Sequence, residues 1–156
     1  MERRHFLETL ATWPALGPAL SAQTAPTDAP QPLEESHFPS RLHQFVWRNW
    51  ELANLDRMAQ VAGASTGQVE ELGQSMGLPP KARLSDDHLR RIYITVIRQN
   101  WHLLPNDQLI ALLGWDREKL EFTLKEDDFL DHKLGPKPRC EPVKHRVPSA
   151  SEKSRA

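Results

Sequence analysis

Apolar and polar residues follow a helical spacing through the middle of the chain. Between residues 86 and 102 apolar side chains recur every three or four positions, which is the period of a helix with one buried face. These side chains are Leu89, Ile92, Tyr93, Val96, Ile97 and Trp101. Shorter apolar groups with similar spacing precede Gly63 and Gly114. The pattern therefore predicts an all-α fold.

Two segments outside this region lack apolar periodicity. Pro, Ala, Gln and Thr dominate residues 23–36, and Pro, Lys, Ser and Arg dominate residues 133–156. Segments of this composition bury too little apolar surface to offset the entropy lost on ordering. We therefore expect a disordered Pro-rich linker over 23–37, a helical domain over 38–132 and a basic, disordered C-terminal tail over 133–156.

The helical region contains an internal repeat. Residues 49–72 align without gaps to residues 100–123. The identical pairs are Asn49 and Asn100, Trp50 and Trp101, Leu52 and Leu103, Asp56 and Asp107, Gly63 and Gly114, and Glu70 and Glu121. Apolar positions coincide as well. The pattern predicts duplicated three-helix, helix-turn-helix-like units, with repeat one over 41–77 and repeat two over 86–131.

Local signals predict where the helices of each unit end. Glycine directly after a helix can adopt the left-handed conformation that closes it, which is the role expected of Gly63 and Gly114. Ser65 and Asp116 follow two positions later and can cap the third helices. The first helices of the two units are predicted over 42–51 and 86–102.

The first residues look like a twin-arginine (Tat) export signal. Arg3 and Arg4 are followed, after one variable residue, by Phe6 and Leu7, and then by a moderately apolar run. Small residues near position 21 offer a cleavage site, so residues 1–22 are predicted to be a signal peptide. The resemblance implies export by the Tat machinery to the periplasm or the medium. The alternative is an N-terminal amphipathic helix with a basic start.

Each unit also resembles a helix-turn-helix DNA-binding domain. Ala59, Gly63 and Val69 stand at the small, turn and buried positions of that motif. The charge does not favour DNA, because residues 38–132 carry 11 Lys and Arg against 14 Asp and Glu, and acidic groups repel phosphate. In repeat two, Arg117 and Lys119 stand among acidic residues. Nucleic acid is therefore not the expected partner, and a cytoplasmic DNA-binding regulator is the alternative function.

No pattern of residues predicts a catalytic centre, a metal site or a cofactor. The acidic run over 126–132 lacks the glycine and the alternating carboxylates of a calcium loop, and we interpret it as a solvated helix end. Cys140 is the one cysteine of the chain and cannot form an internal disulfide. No segment approaches the roughly 20 apolar residues of a membrane-spanning helix. The chain is accordingly not expected to be an enzyme.

Four tryptophans lie within the repeats. Trp50 and Trp101 stand at equivalent positions within apolar stripes, so we expect them to anchor the core. Trp47 and Trp115 lie outside that pair and are the candidates for a surface contact with a partner. Exposed aromatic rings of this kind can stack on sugar rings or clamp a peptide.

Three segments resemble the N-terminal region of large exported bacterial proteins. They are residues 45–50, 98–105 and 126–130. In those proteins this region precedes a longer part that is similar to a glycoside hydrolase. The resemblance implies an accessory module associated with carbohydrate processing and identifies no catalytic residue here. The expected function is an exported, non-enzymatic interaction module for a protein or glycan partner.

Overall fold

A computed structural model describes residues 28–156 of the chain, and the regular secondary structure of this part is α-helical, without a β-strand. The helices are α1 (Arg41–Asn49), α2 (Leu55–Ala62), α3 (Thr66–Ser75), α4 (Asp86–Arg91), α5 (Tyr93–Asn100), α6 (Asn106–Leu113), α7 (Arg117–Glu126), α8 (Leu130–Leu134) and α9 (Ala150–Arg155). The all-α prediction is therefore confirmed. The proposed export signal, Arg3, Arg4, Phe6 and Leu7, lies outside the described residues.

We refer to α1–α3 as unit one and to α5–α7 as unit two, after the repeats predicted from the sequence. Helices α2 and α6 begin 51 positions apart, as do α3 and α7. Gly63 and Gly114 end α2 and α6 with φ values of 64° and 69°, as predicted. The predicted caps are also present, because the side chains of Ser65 and Asp116 accept main-chain N–H bonds at the starts of α3 and α7.

The prediction of one long first helix over 86–102 is wrong, because the helix is interrupted at Ile92. This residue has φ −100° and ψ 6°, and it separates α4 from α5. Such dihedrals lie in the sparsely allowed bridge region between helix and strand. The apolar spacing continues across Ile92, so periodicity alone does not reveal the interruption. In unit one the first helix is Arg41–Asn49, close to the predicted bounds.

The core lies between the two units, where α2 packs against α6. Trp50 and Trp101 are 2% and 4% exposed, which confirms their predicted place in the core. Asn49 and Asn100 are fully buried beside them and form a reciprocal pair. Asn49 Nδ2 donates to Asn100 Oδ1 at 2.9 Å, and Asn100 Nδ2 donates to Asn49 Oδ1 at 2.8 Å. Two polar side chains are thus satisfied within an apolar interface.

The prediction of a disordered tail over 133–156 is wrong. Residues 136–149, which we call the strap, lie extended against the helices, and Val143 is 3% exposed. The strap main chain is hydrogen bonded, since His145 N donates to Ala62 O at 2.7 Å and Gln108 contacts both polar groups of Val143. These bonds replace the water that an extended backbone otherwise requires. Composition alone did not reveal these partners.

Part of the predicted N-terminal linker is also placed against the domain. Arg139 N donates to Pro30 O at 3.0 Å, and Leu33 N donates to His102 Nδ1 at 3.3 Å. The expectation of disorder over 23–37 therefore does not hold for residues 28–37. Among the helices of residues 28–156, none combines the length and apolar character needed to cross a membrane.

Candidate functional site

A cavity of about 680 Å³ opens between the two units, and we call it the inter-unit groove. Unit one lines it with residues of α2 and the turn before it, and unit two with residues of α5, α6 and α7. The lining residues are Leu52, Ala53, Asn54, Asp56, Arg57, Arg83, Asp86, Leu89, Arg90, Tyr93, Val96, Leu112, Leu113, Trp115, Lys119, Thr123 and Asp127. The groove exists because both units contribute to it.

One wall of the groove is aromatic. The rings of Tyr93 and Trp115 have centroids 5.5 Å apart and are tilted by 47°. Tyr93 Oη donates to Asp127 Oδ2 at 2.6 Å, and this bond to a carboxylate raises the pKa of Tyr93, with a further contribution from desolvation. Lys119 Nζ lies 4.5 Å from the centroid of a Trp115 ring, a cation–π distance. The half-buried Trp115 is thus held in place by two neighbours.

Charged groups of both signs surround this wall. The cations are Arg57, Arg83, Arg90 and Lys119, and the acids are Asp56, Asp86 and Asp127. Asp127 is engaged by Tyr93, and Asp56 and Asp86 lie in the first turns of α2 and α4, where the helix start favours negative charge. Among the described residues, Arg57 and Arg83 form no ion pair. The lining thus carries four cations and three acids, and one of the cations, Arg90, pairs with Asp87 outside the lining.

Arg57 is positioned by a glycine of the other unit. A Cβ atom built on Gly114 would lie 2.6 Å from Arg57 Nη2, so the guanidinium occupies the space that a side chain would need. Arg57 also donates to the neutral Gln60 Oε1 at 3.3 Å. Sequence reasoning identified Gly114 as a helix end and did not identify Arg57. No local signal relates the two residues, which lie in different units.

Asn54 positions the other free cation. Its side chain accepts from Leu84 N at 2.7 Å and donates to Leu84 O at 3.1 Å, which fixes the linker residue that follows Arg83. Arg83 is thereby placed at the rim of the groove with its side chain exposed. Asn54 is itself buried. Sequence reasoning missed this contact because it joins the start of α2 to the segment between the units.

The structure does not bring Trp47 and Trp115 into one site. Trp115 lines the groove, whereas Trp47 packs on Phe38 with ring centroids 5.6 Å apart and is absent from the groove lining. Trp47 is 53% exposed, so it presents a separate aromatic surface. The two tryptophans predicted to make surface contacts therefore lie at separate places on the molecule. Trp115, in the groove, is held by Tyr93 and Lys119, whereas Trp47 packs on Phe38.

The helix-turn-helix resemblance leads to α7, where the two cations of the first turn, Arg117 and Lys119, already have partners. Arg117 Nη2 lies 2.6 Å from Asp107 Oδ1, and Lys119 lies over Trp115. Helix α3 carries no cation. A helix that reads DNA presents free donors to bases and phosphates. These contacts do not favour the DNA-binding alternative.

Groups with potential chemistry elsewhere are engaged in structural contacts. Cys140 is buried beside Lys137, whose Nζ lies 3.8 Å from the sulfur and donates to Leu104 O at 2.6 Å. Burial lowers the pKa of Lys137. In the acidic run, Asp128 pairs with Lys133 at 2.6 Å, which lowers the pKa of Asp128. Within residues 28–156, no group of three or more His, Cys, Asp or Glu side chains is placed to hold a metal ion.

The geometry thus singles out the inter-unit groove as the candidate site. Its donors can hold anionic or carbonyl oxygens, and its aromatic wall can contact an apolar or ring-shaped surface. Comparison of the chain with protein-family models, with curated proteins and with solved structures finds no match.

Proposed function

We propose that this protein is an exported, non-enzymatic interaction module that binds a protein or glycan partner in the inter-unit groove. The observation that carries the proposal is the groove itself, which has a volume of about 680 Å³ and is lined by both units. Binding sites in proteins are concave, with an apolar or aromatic lining and a few placed polar groups. Eight of the 17 lining residues are apolar or aromatic, and the other nine are polar or charged.

The side chains of the groove support binding rather than a covalent reaction. Its aromatic pair is fixed by Asp127 and Lys119, so the contact surface is ordered before a partner arrives. Ordered side chains reduce the entropy lost on association. The lining contributes free guanidinium donors, and it does not pair a nucleophile with a histidine base.

We also propose that the two units arose by duplication. The equal offset of α2 and α6 and of α3 and α7 supports this, as does the reciprocal Asn49–Asn100 bond between aligned positions. A duplicated unit that packs on its copy buries the apolar face that one unit leaves exposed. The groove is then a product of this packing.

Export and an accessory role in carbohydrate processing remain part of the proposal on sequence grounds. Their support is the Tat-like pattern of Arg3, Arg4, Phe6 and Leu7 and the resemblance of residues 45–50, 98–105 and 126–130 to exported proteins. Cell fractionation of wild type and of Arg3→Lys/Arg4→Lys tests the export step. Export is supported if the wild-type protein is found processed in the periplasm and the double variant stays in the cytosol. A full-length cytosolic product from both proteins contradicts export.

The binding function is tested by nuclear magnetic resonance with the full chain. The probes are a β-linked glucose tetrasaccharide and two synthetic heptapeptides of opposite charge. We expect one class of probe to shift amide signals of groove residues, and Trp115→Ala to abolish the shift. The matched control is Trp47→Ala, which removes an exposed tryptophan outside the groove. Binding that is insensitive to Trp115→Ala, or hydrolysis of a probe, contradicts the proposal.

A further inference from the structure

The strap shows how this fold holds an extended polypeptide. Gln108 Oε1 accepts from Val143 N at 2.8 Å, while Gln108 Nε2 donates to Val143 O at 2.7 Å and to Val61 O at 2.8 Å. His145 N donates to Ala62 O at 2.7 Å one step further along. One amide side chain and the carbonyl end of one helix thus bind an extended main chain. Main-chain bonds of this kind bind peptides with little dependence on side-chain sequence.

The inter-unit groove is built from the positions that correspond to the strap surface. Arg57 lies 51 residues before Gln108, the same offset that relates Asn49 to Asn100. Leu112 and Leu113 correspond in the same way to Val61 and Ala62, and both line the groove. The groove is therefore the counterpart, in the other unit, of the surface on which the strap lies.

The correspondence extends to the third helices. Lys119 and Thr123 of α7 line the groove, and Gln68 and Leu72 of α3, 51 positions earlier, line a cavity of about 320 Å³ next to the strap. Strap residues 145, 147 and 148 form the other side of that cavity. An extended segment thus passes over α2 and α3 in unit one, and the groove offers the matching path over α6 and α7.

The two surfaces differ in charge. Gln108 both donates and accepts, so it can satisfy the N–H and the C=O of Val143 together. The guanidinium of Arg57 only donates, and it matches the geometry of a carboxylate or a carbonyl oxygen. Arg83 adds a second guanidinium without an acidic partner among the described residues. These two guanidinium groups are therefore the donors in the groove that can pair with carboxylates of a bound segment.

We propose that the inter-unit groove binds an extended, acidic polypeptide segment, with Arg57 in the place that Gln108 has beneath the strap. Arg57 and Arg83 contact carboxylates and main-chain carbonyls of the segment, and the Tyr93–Trp115 wall contacts its apolar side chains. This assignment rests on the function proposed above and selects a protein partner over a glycan.

The test compares two peptides against the full chain by isothermal titration calorimetry and amide shift mapping. The basic peptide has the sequence of strap residues 141–147, and in the acidic peptide the Lys, His and Arg of that sequence are replaced by Glu. We expect the acidic peptide to bind in the groove and to weaken as salt is raised. Arg57→Gln is expected to weaken it about tenfold, the effect of losing one charged hydrogen bond.

Two further variants keep the result interpretable. Arg83→Gln changes an exposed side chain and is expected to weaken the acidic peptide in the same direction without affecting the fold. Arg91→Gln is the matched control, because Arg91 is also exposed but pairs with Asp87 and does not line the groove. Circular dichroism establishes that each variant is folded before its affinity is compared.

The outcomes separate this assignment from the general function. Groove shifts caused by the tetrasaccharide but by neither peptide overturn the polypeptide assignment and leave the binding function in place. Binding of both peptides with equal affinity, or no effect of Arg57→Gln and Arg83→Gln, overturns the acidic preference. No groove shift with any probe contradicts the assignment and the proposed function together.

Discussion

Truncating one member of the buried Asn49–Asn100 amide pair should lower the free energy of unfolding by more than the loss of side-chain packing alone. Each side chain donates to the other, and each Nδ2 also donates to the carbonyl four residues earlier, of Phe45 and Val96 respectively, at 2.9 Å. In Asn49→Ala the side chain of Asn100 keeps its bond to Val96 O but loses both bonds to its partner. A buried polar group without a partner costs about 1–3 kcal/mol.

The magnitude follows from counting what each variant leaves unpaired. Asn49→Ala leaves one buried amide oxygen and one N–H of Asn100 without a partner, and it also opens space in a packed interface. We therefore expect a loss of about 2–4 kcal/mol in the free energy of unfolding, and about the same for Asn100→Ala. The double variant removes both polar groups, so its cost should fall below the sum of the single costs by about 1–3 kcal/mol.

Urea denaturation followed by tryptophan fluorescence measures these values. The matched control is Gln99→Ala, which changes the exposed neighbour of Asn100 and should alter stability by less than about 0.5 kcal/mol. The slope of the transition should stay constant in all variants, since a changed slope indicates loss of two-state behaviour. Additive single costs, within about 0.5 kcal/mol, would refute the reasoning, because independent sites show no coupling.

Three further predictions concern the groove, the core and the strap. Gly114→Ala and Gly63→Ala should each cost about 1–2 kcal/mol because both glycines have positive φ, but only Gly114→Ala should also weaken groove binding, since its Cβ displaces Arg57. Burial lowers the pKa of His43 below 6.5, so the unfolded chain takes up the proton first. The thermal midpoint should therefore fall as the pH drops through 6.5 and then level off, and His43→Gln should flatten this slope. Gln108→Ala should abolish the hydrogen-exchange protection of the Val143 amide and leave that of Met58, deep in the core, unchanged.

Local signals in the sequence accounted for the ends of several helices. Gly63 and Gly114 adopt left-handed dihedrals, and Ser65 caps α3, because each of these roles depends on residues within one or two turns. The same reasoning failed at Ile92, since apolar spacing records which side chains are buried but not whether the helix is interrupted between them. The identity of Asn49 and Asn100 was visible in the alignment, but their contact was not.

The groove depended on contacts between residues far apart in the chain. Trp115 was expected at a surface and lines the groove, whereas Arg57, Arg83 and Asn54 carry no sequence signal for it. Arg57 becomes a groove residue because Gly114 of the other unit leaves room for its guanidinium. Such a site forms only when the two units pack, so no window along the sequence contains it.

The sequence by itself determined the helical class, the helix-ending glycines and the place of Trp50 and Trp101 in the core, because periodicity and capping act over a few residues. Only the tertiary structure decided that residues 136–149 are ordered and that a groove opens between the units. The strap has the composition of a disordered tail, yet Gln108 and Ala62 satisfy its main chain and Val143 enters the core. Its order depends on hydrogen-bond partners that lie more than 30 positions away in the chain, as the 35-residue separation of Gln108 and Val143 shows, and composition does not record such partners.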